Sequence, residues 1–579
     1  MKSGRICVLL SGIVLAPVVY GQDIEESLDT LTRRVRDMRR SGLPTQEFRR
    51  TVQRRASAFT RLMHTNPQAA VNAALSEDEA APIRQWAPGL VETAGKWDGP
   101  LEVRIADDFA NGTSRKRYLL QAAGSELEVF PATPPAEQTC QTTATVSGVQ
   151  LGAEIAASSI AVQAATTSCT TTGVQNIAVI LVNFASTPLR ANVTPSFVQG
   201  AFFGISRSMD TYWRETSYNR MSASGQVFGP YTIADTPCDN SSAIRSAAIA
   251  AADSAVDFRG FTRIFIIHPL SGSCAIGLGT VGCSTLSSAD GTFVASTAWL
   301  RADYLASTDR VISVGVHEGG HGMGLQHSST MDYGAVALGP PGAAATFAEY
   351  WDVFSAMGLS YNLGNTVLIG HYPGIQKAAL GWLTSGTDYQ TVTANGTFTV
   401  GAYEGAGPGI KALRVQRPGT NKWIWIEYRQ PIGNFDPTLS LYSSNIFSGA
   451  LLRYEDPNDA HAGQTLLLDF TPAAAPNNFA DAVLASGRSW ADPNSALTLS
   501  IGNPISGGLP VTVTMTAAPP CDLNGDGSVN VVDVQVSINK ALALVPCGAG
   551  DLDGSGTCNV IDVQRVITAS LGGSCHLGA

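Results

Sequence analysis

Residues 317–327 read HEGGHGMGLQH, a spacing of histidines around one glutamate that has a definite chemical use. His317 and His321 are four apart, so on a helix their imidazoles leave from one face and can share a metal ion. Gly324 lacks a Cβ and can take the positive φ that ends such a helix, turning the chain so that His327 reaches a third position. Three neutral nitrogen donors suit one zinc ion and leave a fourth position for water, whose pKa zinc lowers from about 16 toward 7. Glu318, beside the first ligand, is then the general base that takes the water's proton and passes it to a leaving amine. A five-residue HExxH occurs by chance on ordinary helices, but the added glycine and third histidine at fixed spacing make coincidence rare. His64, His268, His371, His461 and His576 stand alone and read as packed or surface residues.

A second ligand pattern lies at the other end of the chain. Residues 522–533 read DLNGDGSVNVVD and residues 551–562 read DLDGSGTCNVID. Calcium takes six to eight oxygens, and a twelve-residue loop supplies them from positions 1, 3, 5, 7, 9 and 12, with glycine at 6 for the turn. Asp522, Asn524, Asp526, Ser528 and Asp533 fit the first loop, and Asp551, Asp553, Ser555, Thr557 and Asp562 fit the second, so two calcium ions are expected. Gly527 and Gly556 hold the turn position, position 7 offers its carbonyl, and Asn530 and Asn559 at position 9 would act through water.

The elements that must position these residues can be read from periodicity. Ser307 or Thr308 caps a helix through SVGV into the histidine motif. The run IAVILVNF after Asn176, RIFIIHP and TFVASTAWL read as buried strands, and SSAIRSAAIAAADSAVD from Ser241 reads as a helix between them, which predicts a mixed sheet with helices packed on it. Beyond about residue 386, short strands such as GTFTVGAY, WIWIEYRQ and LPVTVTMTA predict a β-sandwich. Near the N-terminus Ile24, Leu28, Leu31, Val35 and Met38 fall on one helical face within an arginine-rich stretch, read as a solvated basic face. The expected organisation is a signal peptide at 1–21, a pro-region at 22–172, a catalytic α/β (α+β) domain at 173–385, a sandwich at 386–517 and a small α-helical calcium-binding domain at 518–579.

The long motif, followed by EYWDVFSAMG, resembles the metzincin metallopeptidases. YWRETSYNRMSASGQVFGPYTI, HEGGHGMGLQHSSTMDYG, EYWDVFSAMG and GIQKAALGWL make it most similar to the gametolysin family over about residues 174–385. The resemblance implies a zinc metalloendopeptidase in which Met357, in the Met-turn, underlies the metal. It implies extracellular matrix or cell-wall glycoproteins as substrates. Where some metzincins carry a metal-reaching tyrosine two residues past that methionine, this chain has Leu359, and neither Tyr361 nor Tyr333 is assigned a role. Gly319 and Gly320 each cost about 1 kcal/mol within a helix relative to alanine, so packing must hold it. The two tandem loops resemble a type I dockerin, which implies a cohesin-type domain as partner. A different class of reading is a non-catalytic extracellular adhesin or scaffold component using the sandwich and the calcium module, and a third is a secreted zinc peptidase of the immune-inhibitor type.

The first residues, MKSGRICVLLSGIVLAPVVYGQD, have the basic, apolar and small-residue parts of a secretory signal. No later stretch is long and apolar enough for a membrane span. The net charge of −10 argues against nucleic-acid binding. A secreted protein, extracellular or at the cell surface, can keep disulfides. Of ten cysteines, Cys7 leaves with the signal and nine remain. Cys140 or Cys169 would ligate zinc in a zymogen, or the two would form a disulfide, with the odd thiol among Cys238, Cys274 and Cys283. Cys521, Cys547, Cys558 and Cys575 would staple the calcium module.

Overall fold

The computed structural model describes residues 26–40, 45–135, 142–163, 169–272, 274–359, 362–363, 366–459, 461, 463–472, 478–515, 519–525 and 528–578. The expected signal segment, Cys140, Tyr361, Asp526 and Gly527 lie outside the described residues. The architecture is mixed α/β with several sheets and more strands than helices. It divides into two compact units, one of Met1–Trp97, Val129–Pro134 and Val146–Ile160, the other of Asp98–Glu128, Pro135–Thr145 and Ala161–Ala579.

The first unit carries helices α1 (Leu28–Arg40), α2 (Gln46–Thr65), α3 (Pro67–Ala73) and α4 (Glu77–Trp86). Leu31 and Val35 are buried, as one-face spacing requires. The arginine-rich stretch is not wholly solvated. Arg55 is buried, and its guanidinium forks onto Glu92 with both arms at 2.7 Å.

Strands β1 (Thr93–Asp108), β2 (Thr113–Ala122), β3 (Ser125–Pro131), β4 (Thr142–Leu151) and β5 (Glu154–Gln163) come next in the chain. The second unit then adds β6 (Gly173–Phe184), α5 (Pro195–Phe203), α6 (Met209–Thr216), β7 (Met221–Ile233), α7 (Ser241–Ala252), β8 (Arg263–His268), β9 (Gly277–Thr280), β10 (Ser284–Ser288), β11 (Gly291–Arg301) and α8 (Thr308–His321). Its sheet runs in the order β7, β6, β8, β11, β9, β1. The first four are parallel, whereas β9 is antiparallel to β11 and β1 is antiparallel to β9.

Alternation within β6 explains the layers. Ile177, Val179 and Leu181 share a core with Phe202, Trp213 and Val311 from the helices on one face. Ala178, Ile180 and Val182 share another with Ile244 and Ala248 of α7 on the opposite face. A strand buried on both faces must be apolar throughout, which is what the run IAVILV is.

Past α8 come β12 (Ser328–Asp332) and β13 (Thr346–Ala348). They belong to an eight-stranded sheet with Tyr389–Val392, Ala412–Gln416, Trp423–Glu427, Gly449–Glu455 and Thr465–Leu467, extended by Leu484–Ala485. A four-stranded sheet of Gly396–Val400, Ser489–Ala491, Leu497–Ile501 and Leu509–Met515 faces it, and Leu413, Ile426 and Leu452 of the first share a buried core with Leu499, Val511 and Val513 of the second. Two sheets over one core make the expected sandwich, but β12 and β13 come from the segment N-terminal to it.

A buried ionic network joins the sandwich to the loop 349–358. Arg453 Nε donates to Asp352 at 2.7 Å and Arg453 Nη1 to Glu427 at 2.9 Å, while Arg429 bridges Glu427 at 2.9 Å and Asp436 at 2.7 Å. Burial alone would push Glu427 up, but Arg453 and Arg429 outweigh it and hold its carboxyl below the ordinary value. Its contribution to stability is therefore complete above about pH 4.3, the unfolded value, and is lost as pH falls below that. Replacing Arg453 with alanine leaves Asp352 without its bridge and Glu427 with one fewer. We expect a loss of about 3–5 kcal/mol, read as a lower urea midpoint at neutral pH, with the gap to wild type narrowing below pH 4.

Candidate metal centre

Helix α8 begins at Ser307, whose Oγ accepts the Arg310 N–H, and runs to His321. Gly324 follows with φ of +95°, the left-handed turn that returns the chain. His327 is then secured by β12, since Ser328 pairs with Thr465 and the Thr465 N–H donates to the His327 carbonyl at 3.2 Å. His317, His321 and His327 are all buried, with ring centroids 4.9 to 5.3 Å apart.

The outer nitrogen of each ring is committed. His317 Nδ1 lies 2.8 Å from the Ala356 carbonyl, His321 Nδ1 2.7 Å from the Leu325 carbonyl and His327 Nδ1 2.9 Å from Glu349 Oε1. A carbonyl or carboxylate oxygen only accepts, so each Nδ1 carries the hydrogen, and in the neutral ring each Nε2 presents a lone pair. Those three lone pairs converge on the Asp107 carboxylate. His327 Nε2 is 3.0 Å from Oδ1, and His321 and His317 Nε2 are 3.2 and 3.5 Å from Oδ2. Among the described residues His317 Nε2, His327 Nε2 and Asp107 Oδ1 have no hydrogen-bond partner. Buried acceptors facing one another repel unless a cation lies between them. Zinc bound by nitrogen and oxygen at about 2.0–2.2 Å in a tetrahedron separates its ligand atoms by about 3.3 Å, which the observed distances bracket. The donor set fits zinc.

Asp107 shapes the electrostatics. Burial would push it up, yet the charge of His327 and the closeness of the other two rings outweigh that and hold it well below the carboxylate range. Burial would lower His327, but Asp107 and Glu349 outweigh it and hold the ring up to about 9, whereas His317 is pushed down to about 4 by burial. Glu318 is pushed well above the usual value, first by burial and then by the Asp107 charge. Its two oxygens have no hydrogen-bond partner among the described residues and lie against bare backbone of β9, where a Cβ on Gly277 would overlap Oε1 and one on Gly279 would come within 2.9 Å of Oε2.

Met357 is buried under the helix. A Cβ on Gly320 would overlap its sulfur, and one on Gly319 would lie 2.7 Å from Trp213. The two helical glycines that look costly by propensity are therefore the positions where large side chains close on the helix. Three neighbours of the site were not singled out by the sequence reading: Asp107, Glu349 and Tyr350. Tyr350 is buried at φ 79°, its hydroxyl has no partner among the described residues, and its ring lies 4.6 Å from that of His327. Nothing in local spacing marks any of the three.

The cysteine expectations need correction. Cys169 pairs with Cys283 and Cys238 with Cys274, so Cys169 is neither a zinc ligand nor bonded to Cys140, and none of the three candidates for an odd thiol is free. Cys169 is held in this cross-link beside β9 rather than at the histidines. Cys521–Cys575 and Cys547–Cys558 do staple the C-terminal module. Four disulfides among the described residues are compatible with an extracellular protein, and no helix among them is long and apolar enough to cross a membrane.

In that module Asp551, Asp553 and Asp562 each bring a carboxylate oxygen within 4.8 Å of the others. Asp562 also accepts the Leu552, Asp553 and Asn559 N–H groups at 2.7 to 3.0 Å, and Asp533 accepts the equivalent three from Leu523, Asn524 and Asn530. Asp522 accepts the Gly525 N–H at 2.8 Å, and Ser555 Oγ donates to the Thr557 carbonyl at 3.1 Å. Asn530 and Asn559 cap helices Val531–Ala541 and Val560–Ser570 with their side-chain oxygens. Position 9 of each loop is also the N-cap of the next helix.

No protein-family model matches the chain, and no curated protein matches it.

Gly320 gives a direct test of how the centre is packed. Helix propensity alone predicts that Gly320→Ala stabilises by about 1 kcal/mol, whereas overlap with the Met357 sulfur costs about 1–3 kcal/mol. We expect packing to win, with a lower thermal midpoint and less retained zinc on gel filtration than wild type.

Proposed function

We propose that this chain is a secreted zinc-dependent metalloendopeptidase of metzincin type, with a calcium-binding, dockerin-like module at its C-terminus. The observation that carries the reading is the set of three buried imidazoles with committed Nδ1 hydrogens and convergent Nε2 lone pairs, next to a buried carboxyl with no partner of its own. His317, His321 and His327 would hold the zinc, and Met357 supports them from below. Bound zinc supplies Lewis acidity toward water and a peptide carbonyl.

The chain's own residues divide the remaining work. Glu318 takes a proton during attack on the peptide carbonyl and returns it to the departing amine. Its position against Gly277 and Gly279 places it beside a strand whose backbone can pair with an extended peptide. Tyr350, with an unpartnered hydroxyl beside His327, is the residue available to hydrogen-bond a bound carbonyl. Burial of Glu318 raises its proton affinity well above that of an ordinary carboxylate, which suits a group that must both accept and give. Extracellular proteins or glycoproteins are the expected substrates, and a cohesin-type domain is the partner the C-terminal module would take.

Two measurements test this reading. The mature protein, freed of its N-terminal segment, is expected to hydrolyse gelatin, and Glu318→Ala to lose about 10²–10⁴-fold while keeping about one zinc per chain. No hydrolysis by a wild type that holds zinc would instead favour the non-catalytic adhesin or scaffold reading. For the C-terminal module, calorimetric titration is expected to find two calcium sites in the full chain and one in Asp553→Ala, with a calcium-dependent rise in thermal midpoint.

A further inference from the structure

Asp107 belongs to β1, far upstream of the histidine motif, and its carboxylate faces all three Nε2 atoms at 3.0 to 3.5 Å. Building on the zinc peptidase reading, we infer that the β1 segment around Asp107 is an inhibitory strand that keeps the precursor latent, with Asp107 as the fourth zinc ligand. Three independent features hold it there.

The first is main-chain pairing. Arg104 to Asp107 lie antiparallel to Thr280 to Gly277, and the Ile276 and Val281 N–H groups donate to the Asp107 and Val103 carbonyls at 2.8 Å. The other neighbour of β9 is β11. With β1 withdrawn, β9 becomes an edge, and β1 therefore occupies the place where an extended peptide would add to the sheet. Next comes an apolar plug, since Phe109 is buried with its ring 5.0 Å from His317 and 5.7 Å from Tyr350. The third is an anchor remote from the metal. Arg104 donates to Ser241 and Ser242 Oγ at 2.7 and 2.8 Å, and Arg245 of α7 reaches Glu102 at 2.9 Å. A carboxylate in the fourth position excludes water from it, and a strand on β9 excludes substrate.

The Cys169–Cys283 disulfide sets where activation must cut. A single cleavage at the expected 172/173 boundary leaves β1 covalently tied to the catalytic unit through Cys169. Release follows only from a cut between Phe109 and Cys169, or from that boundary cut with reduction of the disulfide.

The test uses the intact full-length chain loaded with zinc or cobalt, as wild type, Asp107→Ala and the shape-conserving Asp107→Asn, with circular dichroism as a check on folding. Two readouts are taken: gelatin hydrolysis, and binding of acetohydroxamate followed by the cobalt absorption spectrum. Latency predicts that wild type cut between Phe109 and Cys169 hydrolyses gelatin at least about 10²-fold faster than the uncut chain, and that the uncut variants bind acetohydroxamate at least about tenfold more tightly than uncut wild type. Equal acetohydroxamate affinity in the folded variants and wild type overturns the inhibitory strand, whatever the activity. Tighter acetohydroxamate binding with no hydrolysis by any form, the cut wild type included, keeps Asp107 as the closing ligand and overturns the peptidase reading instead.

Discussion

The centre depends on where three imidazole hydrogens go. A histidine ring can present a lone pair from either nitrogen, and only a fixed acceptor at Nδ1 makes Nε2 the ligand atom. Here the acceptors are the Leu325 carbonyl at the turn after α8, the Ala356 carbonyl and the Glu349 carboxylate. Two of the three come from one loop, 349–358, which also supplies Met357 and Tyr350. That loop has no regular hydrogen-bond ladder of its own, so something else must hold it. Arg453 does so through Asp352, and Arg453 sits on a sandwich strand. The third histidine likewise leans on the sandwich through β12 and Thr465. The sandwich is thus part of what sets the three histidines, which explains why β12 and β13 cross the boundary that composition suggested.

Helix α8 shows how packing overrides propensity. Gly315, Gly319 and Gly320 together cost about 3 kcal/mol against alanine in a helix interior. In return Trp213 and Met357 approach the helix at Gly319 and Gly320 more closely than a Cβ would allow, and Met209 comes within 3.2 Å of where a Cβ on Gly315 would sit. Burying each of these large side chains is worth about 1.5–3 kcal/mol, so the trade favours glycine. A helix this poor in intrinsic preference forms because the core around it is already shaped to receive it.

Much of this was legible in the sequence because it is local. The histidine spacing, the Ser307 cap, the left-handed turn at Gly324 and the unbroken apolar run of β6 each depend on residues within a few positions of one another. What escaped depends on pairing between distant segments. Asp107 sits in IADDF beside Asp108, and no rule of spacing separates a carboxylate aimed at the histidines from a neighbour that accepts a turn hydrogen bond from Ala110. The alternation of β1 does predict that Asp107 and Asp108 face opposite sides, but only the pairing with β9 decides which side holds the metal centre. Cysteine counting failed for a related reason: an odd total says that one thiol is left over without saying which, and Cys169 and Cys283 are 114 residues apart.

Strand β9 gives the face beside Glu318 little means of telling one partner from another. Gly277 and Gly279 present no side chain toward Glu318, so the backbone ladder they form with β1 would form about as well with any extended peptide. Discrimination must then come from what lies beyond the ladder. For β1 that is the carboxylate of Asp107, the ring of Phe109 and the ionic anchor of Glu102 and Arg104 to α7. The Asp107 contact acts as part of the same chain, so it competes at the high effective concentration of a tethered group while the chain is whole. A single cut between Phe109 and Cys169 removes that advantage without changing any contact in the site. On the proposed reading, the same bare strand that would admit a peptide for hydrolysis is therefore also what would let the chain close its own site until it is cut.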